Sequence, residues 1–296
     1  MTFTRAARVS SILVLLGCHS SPSSELVWQI EDQRHYTIAW ADITLTVDPA
    51  VGGRITSLRV RNREMITGPE QHPVYYGSTL WLSPQDRWWP EPPAVDTDPY
   101  LVRSVANPLT MISRQDSRLG LQIKKSFLAV PDDSSLHITY TAINRADTAQ
   151  SLALWEVTRM KKECEIILAL DSSRSQNRPF KEHVRWSVED SLYHTYVATE
   201  DTIPQKSFNN ATGWVIYARD SLLLLKRFPD LSVHQLPPGQ GEVEIYIDDS
   251  AYVEVEEHSE YRSIASGDSL TWTVRWYPRY ADITLWENVT GRQYAP

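Results

Sequence analysis

What the chain lacks narrows its chemistry first. It has two cysteines in 296 residues, Cys18 and Cys164, too few for a disulfide framework or a cysteine-rich zinc site. No G-x-G-x-x-G, P-loop, H-E-x-x-H or G-x-S-x-G stretch occurs, so nucleotide, zincin and α/β-hydrolase chemistry have no foothold. The eight histidines (His19, His35, His72, His137, His183, His194, His234 and His258) include no two at metal-ligand spacing on one element. No metal or organic cofactor is expected, although a metal cluster assembled from separate strands stays open. Cations are outnumbered, 29 Lys and Arg against 37 Asp and Glu. The net charge of −8 argues against nucleic acid and against a polybasic grip on anionic lipid. Glycine is scarce as well; 11 glycines and 18 prolines beside 10% aromatics describe a folded globular chain.

Long apolar runs are missing except at the start. In MTFTRAARVSSILVLLGC, Arg5 and Arg8 form a basic region and Val9 to Leu16 a short apolar one, too short to span a bilayer as a mature helix. Leu15-Leu16-Gly17-Cys18 resembles a bacterial lipobox. That implies a lipidated Cys18 as mature N-terminus and a place in the bacterial cell envelope, held to a membrane by its acyl chains. His19 in place of aspartate leans towards the outer membrane or cell surface. An ordinary secretory signal with a chance cysteine is the alternative. Residues 1–17 therefore read as signal peptide, 18–25 as a polar tether and 26–296 as one domain.

From Leu26 the pattern is period two or short apolar runs, broken every eight to twelve residues by turn residues. Strands are expected at 36–41, 43–47, 54–60, 101–113, 120–130 and 136–144. More are expected at 151–159, 164–170, 183–188, 191–198, 213–218, 221–228, 242–248, 251–257 and 269–277. Turns fall at Asp48-Pro49-Ala50-Val51-Gly52-Gly53, Pro131-Asp132-Asp133-Ser134, Asp248-Asp249 and Ser266-Gly267-Asp268. No amphipathic helix of ten residues, internal repeat or composition shift comes after the signal. The fold class is all-β, a single large β-sandwich.

The stretch Tyr75 to Tyr100, YYGSTLWLSPQDRWWPEPPAVDTDPY, carries three of the eleven tryptophans with five prolines between and around them. Proline fixes φ and removes a donor, which excludes a helix or a central strand here and leaves a long irregular loop. Indole faces of Trp81, Trp88 and Trp89 beside Gln85 and acidic side chains suit a sugar, with its apolar C–H face and rim of hydroxyls. Tryptophans that merely cap one end of a sandwich are the alternative. Elsewhere, carboxylates sit beside aromatics. Glu156 comes after Trp155 in the apolar strand LALWEV. Glu254 and Glu256 share one face of YVEVEE. Each is either part of a solvated acidic surface or lines a concave site, as an acid–base pair or as acceptors for hydroxyls. Arg159 is placed to pair with Glu156 or Glu254. Lys206 is either at the mouth of such a site or an exposed loop lysine.

These residues resemble a known family. Leu45-Thr-Val-Asp-Pro-Ala-Val-Gly-Gly-Arg-Ile-Thr-Ser-Leu resembles the opening hairpin of galactose mutarotase-like proteins, the aldose 1-epimerase superfamily. Ile138 to Asn144 with Ala146-Asp-Thr-Ala-Gln-Ser is similar to its strand ending in Asn and the turn beyond. Tyr252-Val-Glu-Val-Glu, then Ser266-Gly267-Asp268-Ser269-Leu270 and Trp272-Thr-Val-Arg-Trp, resembles its C-terminal signature. YYGSTLWLSPQ with WWPEPP, LALWEVTRM and FNNATGW resemble an uncharacterised secreted or lipid-anchored bacterial branch. The resemblance implies a β-supersandwich and interconversion of sugar anomers. Glu254 falls where a glutamate base is expected, with Glu256 as the register alternative. A histidine acid is expected near Trp155-Glu156, and none is there. Glu156 is the substitute acid in that reading, whereas a Trp–Glu pair equally suits binding without turnover. The leading expectation is a carbohydrate-binding protein with Trp81, Gln85, Trp88, Trp89, Trp155, Arg159, Lys206 and Glu256 around the sugar. An active epimerase and a structural lipoprotein with a vestigial groove are the alternatives.

Overall fold

The computed structural model describes residues 26–171, 177–181, 183–249 and 251–281. The expected signal peptide, Cys18 and the expected tether lie outside these residues. The opening strands are β1 (Gln29–Glu31), β2 (His35–Trp40), β3 (Ile43–Asp48), β4 (Arg54–Val60), β5 (Arg63–Glu64) and β6 (Ser78–Ser83). Then come β7 (Leu101–Ser104), β8 (Leu109–Ile112), β9 (Leu121–Val130), β10 (Ser135–Asn144), β11 (Gln150–Met160) and β12 (Cys164–Ala169). Next are β13 (Arg185–Glu189), β14 (Leu192–Val197), β15 (Gln205–Asn209), β16 (Trp214–Arg219) and β17 (Leu222–Arg227). The last are β18 (Val243–Ile247), β19 (Val253–His258), β20 (Arg262–Ile264) and β21 (Ser269–Tyr280).

Two antiparallel sheets face each other. The first runs β1-β2-β3-β4-β6-β11-β19-β18-β15, with β5 on β4 and β20 on β11; the second runs β13-β14-β12-β16-β17-β21-β10-β9-β8-β7. Period-two strands such as β9 and β21 bury one face and leave the other partly open. Leu45, Leu58, Ile123, Phe127, Ile138, Leu154 and Trp276 are among the side chains fully buried in the core, each removing apolar area worth about 1.5–3 kcal/mol from water. The all-β supersandwich expected from the sequence is the observed fold.

Three stretches differ from expectation. The strand expected at 101–113 is the hairpin of β7 and β8. Tyr75 to Tyr100 is not loop throughout: β6 occupies Ser78–Ser83 and lies centrally, between β4 and β11, and a one-turn helix, α1, occupies Ala94–Thr97 just after Pro93. The prolines begin only at Pro84, where the ladder ends, so they constrain the segment beyond β6 and leave the strand itself free to pair. Lys206 is not on a loop but on β15, the edge strand of the first sheet. β6 and β11 are buried on both faces because the segment after Pro84 folds back over the first sheet. Gly52 permits that closure. It has φ +64°, and a Cβ there would collide with the carbonyl oxygen of Asp96, inside the returning segment.

Candidate functional site

Register places the site. On the face of the first sheet turned away from the second, Trp81 on β6, Trp155 on β11 and His258 on β19 stand side by side. Next along the strands come Thr79, Val157, Glu256, Glu244 and Phe208, and then Arg159, Glu254, Tyr246 and Lys206. Because side chains alternate, the shared face of Glu254 and Glu256 becomes one continuous outer face across five strands.

Charge is concentrated there without being left loose. Glu244 and Glu256 are directly opposite on neighbouring strands, an arrangement that repels unless a cation intervenes. Lys206 intervenes, its Nζ 3.0 Å from Glu244 Oε2 and 2.8 Å from Glu256 Oε2, and 4.9 Å from the Trp155 ring centre. Burial opposes the ammonium's charge, but Glu256, Glu244 and Glu254 together hold it above its ordinary value. Trp155 Nε1 donates to Glu256 Oε2 at 2.8 Å. Arg159 Nε is 2.9 Å from Glu254 Oε1, while its guanidinium lies over the rings of Trp81 (5.0 Å), Tyr75 (5.3 Å) and Tyr252 (5.7 Å). Burial pushes the Glu254 carboxyl up to about 7, outweighing the opposing pull of Arg159. His258, stacked on Trp155 with ring centres 5.2 Å apart, is held down at about 3 by burial and then by Lys206, so the imidazole is neutral. Beyond Lys206 the sheet edge opens into a cavity of about 520 Å³ whose walls include Phe208, Gln205, Arg178, Lys181 and Ile203.

The indoles divide. Trp81 Nε1 donates to Asp96 Oδ2 at 2.8 Å and Trp88 Nε1 to the Leu82 carbonyl at 2.7 Å. Their rings pack on each other at 5.2 Å, and Trp81 on Trp155 at 5.3 Å. With exposures of 5% and 2%, Trp81 and Trp88 are walls beneath the segment and not open stacking platforms, which corrects the expectation placed on them. Trp89, 50% exposed, does present a face to solvent, and Gln85 is half-buried at the start of the 3-10 turn Gln85–Arg87. Asp96 is consumed by Trp81, Thr79 and Arg54.

Glu156 requires a second correction. It pairs with Glu257 across β11 and β19, on the face opposite Glu254. It points into the space between the sheets, where it accepts from Tyr140 Oη (2.6 Å), Trp276 Nε1 (2.9 Å) and Lys226 Nζ (2.9 Å). Glu156 is fully buried there and cannot act with Glu254 on one ligand. Arg159, of opposite parity to Glu156, pairs with Glu254 alone of the two. Sequence reasoning also passed over His258, Glu244 and Tyr246. His258 carries the same parity as Glu254 and Glu256, and Glu244 is a carboxylate inside the apolar strand VEIYI; both signals were present. No group of three or more His, Cys, Asp or Glu suited to a metal occurs among the described residues.

The two antiparallel sheets have the galactose mutarotase-like β-sandwich fold. The chain belongs to the family described as a domain of unknown function (DUF4380), which matches residues 34–278. No curated protein matches it. Among solved structures it is similar to a candidate aldose 1-epimerase from Escherichia coli K12, with TM-score 0.60, 10% identity and 83% and 99% of the two chains covered. A galactose mutarotase-like protein from Clostridium acetobutylicum aligns with TM-score 0.57 and 10% identity over 86% and 99%. One from Lactobacillus casei aligns with TM-score 0.55 and 11% identity over 83% and 100%. At such identities the likeness is one of fold.

Proposed function

We propose that the protein binds a saccharide on the outer face of the first sheet, at the opening beside Lys206. The observation carrying this reading is the cation–carboxylate array itself. Buried Glu244 and Glu256 fix the Lys206 ammonium at the sheet edge, and with Gln205, Arg178 and Lys181 it lines the cavity beside the Phe208 ring, supplying donors and acceptors to a ligand there. Sugar hydroxyls need both kinds of partner, and an apolar ring face needs an aromatic. The cavity at Lys206 falls within the roughly 300–1,000 Å³ of small-ligand sites. Isothermal titration with a panel of mono- and oligosaccharides, wild type against Lys206→Met, tests it. Binding lost in the variant supports the reading, and binding unaffected by the variant refutes it.

Turnover in the manner of an aldose 1-epimerase is a second reading, favoured by one observation. A carboxyl with pKa about 7 is suited to take and return a proton at neutral pH, and Glu254 has one. Polarimetry on freshly dissolved sugar, with Glu254→Gln as control, separates binding from anomer interconversion. The reading extends to location: an acylated Cys18 holds the protein at the cell envelope. Cys18→Ser is expected to move it from the membrane fraction to the soluble one; an unchanged distribution excludes the acyl anchor.

A further inference from the structure

A second depression lies at the other end of β11 from Arg159. It is an open groove of about 710 Å³, and three guanidiniums line it: Arg87 from the segment over the sheet, Arg118 from the loop before β9, and Arg145 from the turn after β10. In a chain of net charge −8 such a concentration of cations stands out. What holds them matters more. Arg87 Nη2 donates to Gln150 Oε1 at 2.5 Å and its Nη1 to the Ser151 carbonyl at 3.3 Å. Arg145 Nε and Nη2 donate to Gln122 Oε1 at 3.2 and 3.0 Å. Both are oriented by neutral amide and carbonyl oxygens, which fix the fork without cancelling its charge. None of the three makes an ion pair among the described residues. Asp116, beneath the loop, is spent on the backbone N–H groups of Ala94, Arg118 and Leu119. Asp147 is the one carboxylate lining the groove, so its walls carry two net positive charges.

Oriented and uncompensated guanidiniums are suited to carboxylate or sulfate oxygens, which they meet in bidentate pairs. Ser117, Thr148 and Ser151 add hydroxyls and Gln115 and Gln150 amides to walls whose apolar part is Leu119, Ala146 and Ala149, a lining suited to a polar ligand rather than an acyl chain. We propose that Arg87, Arg118 and Arg145 form a subsite for the anionic substituent, carboxylate or sulfate, of an acidic oligosaccharide. The saccharide part of this rests on the function proposed above, whereas the anion part rests on the groove alone.

The test is titration calorimetry of the full chain with oligogalacturonate, with its methyl ester, which has the same backbone without the charge, and with a chondroitin sulfate oligosaccharide. Phosphatidylglycerol vesicles form a separate arm. An acidic oligosaccharide is expected to bind at least about tenfold more tightly than the ester, as for hydrogen bonds to charged groups. The preference should shrink as salt rises. It should vanish in the Arg118→Gln/Arg145→Gln double variant, whose altered side chains are exposed, with ester binding retained. Equal affinity for acid and ester, or a preference that survives in the double variant, overturns the subsite while leaving the proposed function standing. No binding of any saccharide overturns both. Binding to vesicles alone, abolished by the same variant, replaces the oligosaccharide with a lipid headgroup and overturns the proposal as stated.

Discussion

Lys226→Met should be the most damaging single substitution among the charged residues. Lys226 Nζ is 2.9 Å from Glu156 Oε1, 2.9 Å from Glu257 Oε2 and 2.7 Å from Thr158 Oγ1, between the sheets. The two carboxylates are directly opposite on β11 and β19. Burial already raises the Glu257 carboxyl, and Glu156 adds to this while Lys226 opposes it. Without the ammonium, two buried carboxylates face each other and one must take a proton against neutral solvent. Removing one partner of such a buried pair costs about 3–5 kcal/mol. Against a total stability of about 5–15 kcal/mol, this is a large fraction. At about 2–4 °C per kcal/mol for a domain of this size, the melting temperature should fall by roughly 10 °C. Melting followed by near-ultraviolet circular dichroism at pH 7 measures it. Glu156→Gln added to the variant should recover part of the loss, since only in the variant background is the Glu156–Glu257 repulsion left without a compensating ammonium. A loss under about 1 kcal/mol, or no recovery, refutes the reasoning.

The outer face makes opposite demands. Between pH 4.5 and about 7 the folded state holds a proton on Glu254 that the unfolded chain has released, so this group lowers stability as pH rises through that window. His258, held at about 3 against an ordinary 6.5, acts in the other sense: stability is lost as pH falls from 6.5 towards 3. Where the windows overlap, from 4.5 to 6.5, the two slopes offset each other, each at most about 1.4 kcal/mol per pH unit. Glu254→Gln should therefore make stability climb with pH across that range in urea titrations, and His258→Phe should make it decline; parallel curves for both variants and wild type contradict this. Asp96→Asn should loosen the segment over β6, seen as faster hydrogen exchange at the Trp81 and Trp88 indoles, because Asp96 accepts from Trp81 Nε1 and faces Arg54. Unaltered exchange would show that the aromatic packing alone holds the segment.

Much of the architecture was legible because period-two patterning survives wherever one face is open. β9, β10 and β21 could be read directly for that reason, and the turn at Gly52-Gly53 announced its left-handed backbone. β6 was obscured because its neighbours downstream are prolines, and a strand buried on both faces carries no alternation. Parity within a strand was readable: Glu254 and Glu256 do share a face. Parity between strands was not. Whether Glu156 faces Glu254 depends on how β11 registers with β19, and that is fixed by the ladder Glu156↔Glu257, invisible in either segment alone. The same ignorance hid the two similar devices on opposite faces, Glu244 and Glu256 around Lys206 outside, Glu156 and Glu257 around Lys226 inside. The exposure of the tryptophans was likewise beyond the sequence, since it depends on which ring lies beneath the returning chain.

The most direct test of the central claim is the nitrogen–proton spectrum of the indoles during titration with a binding saccharide. Trp155, whose Nε1 donates to Glu256 beside Lys206, should shift, while Trp276, sealed between the sheets on Glu156, should not. Movement at Trp276 with Trp155 unmoved, or no indole movement at saturation, would contradict it.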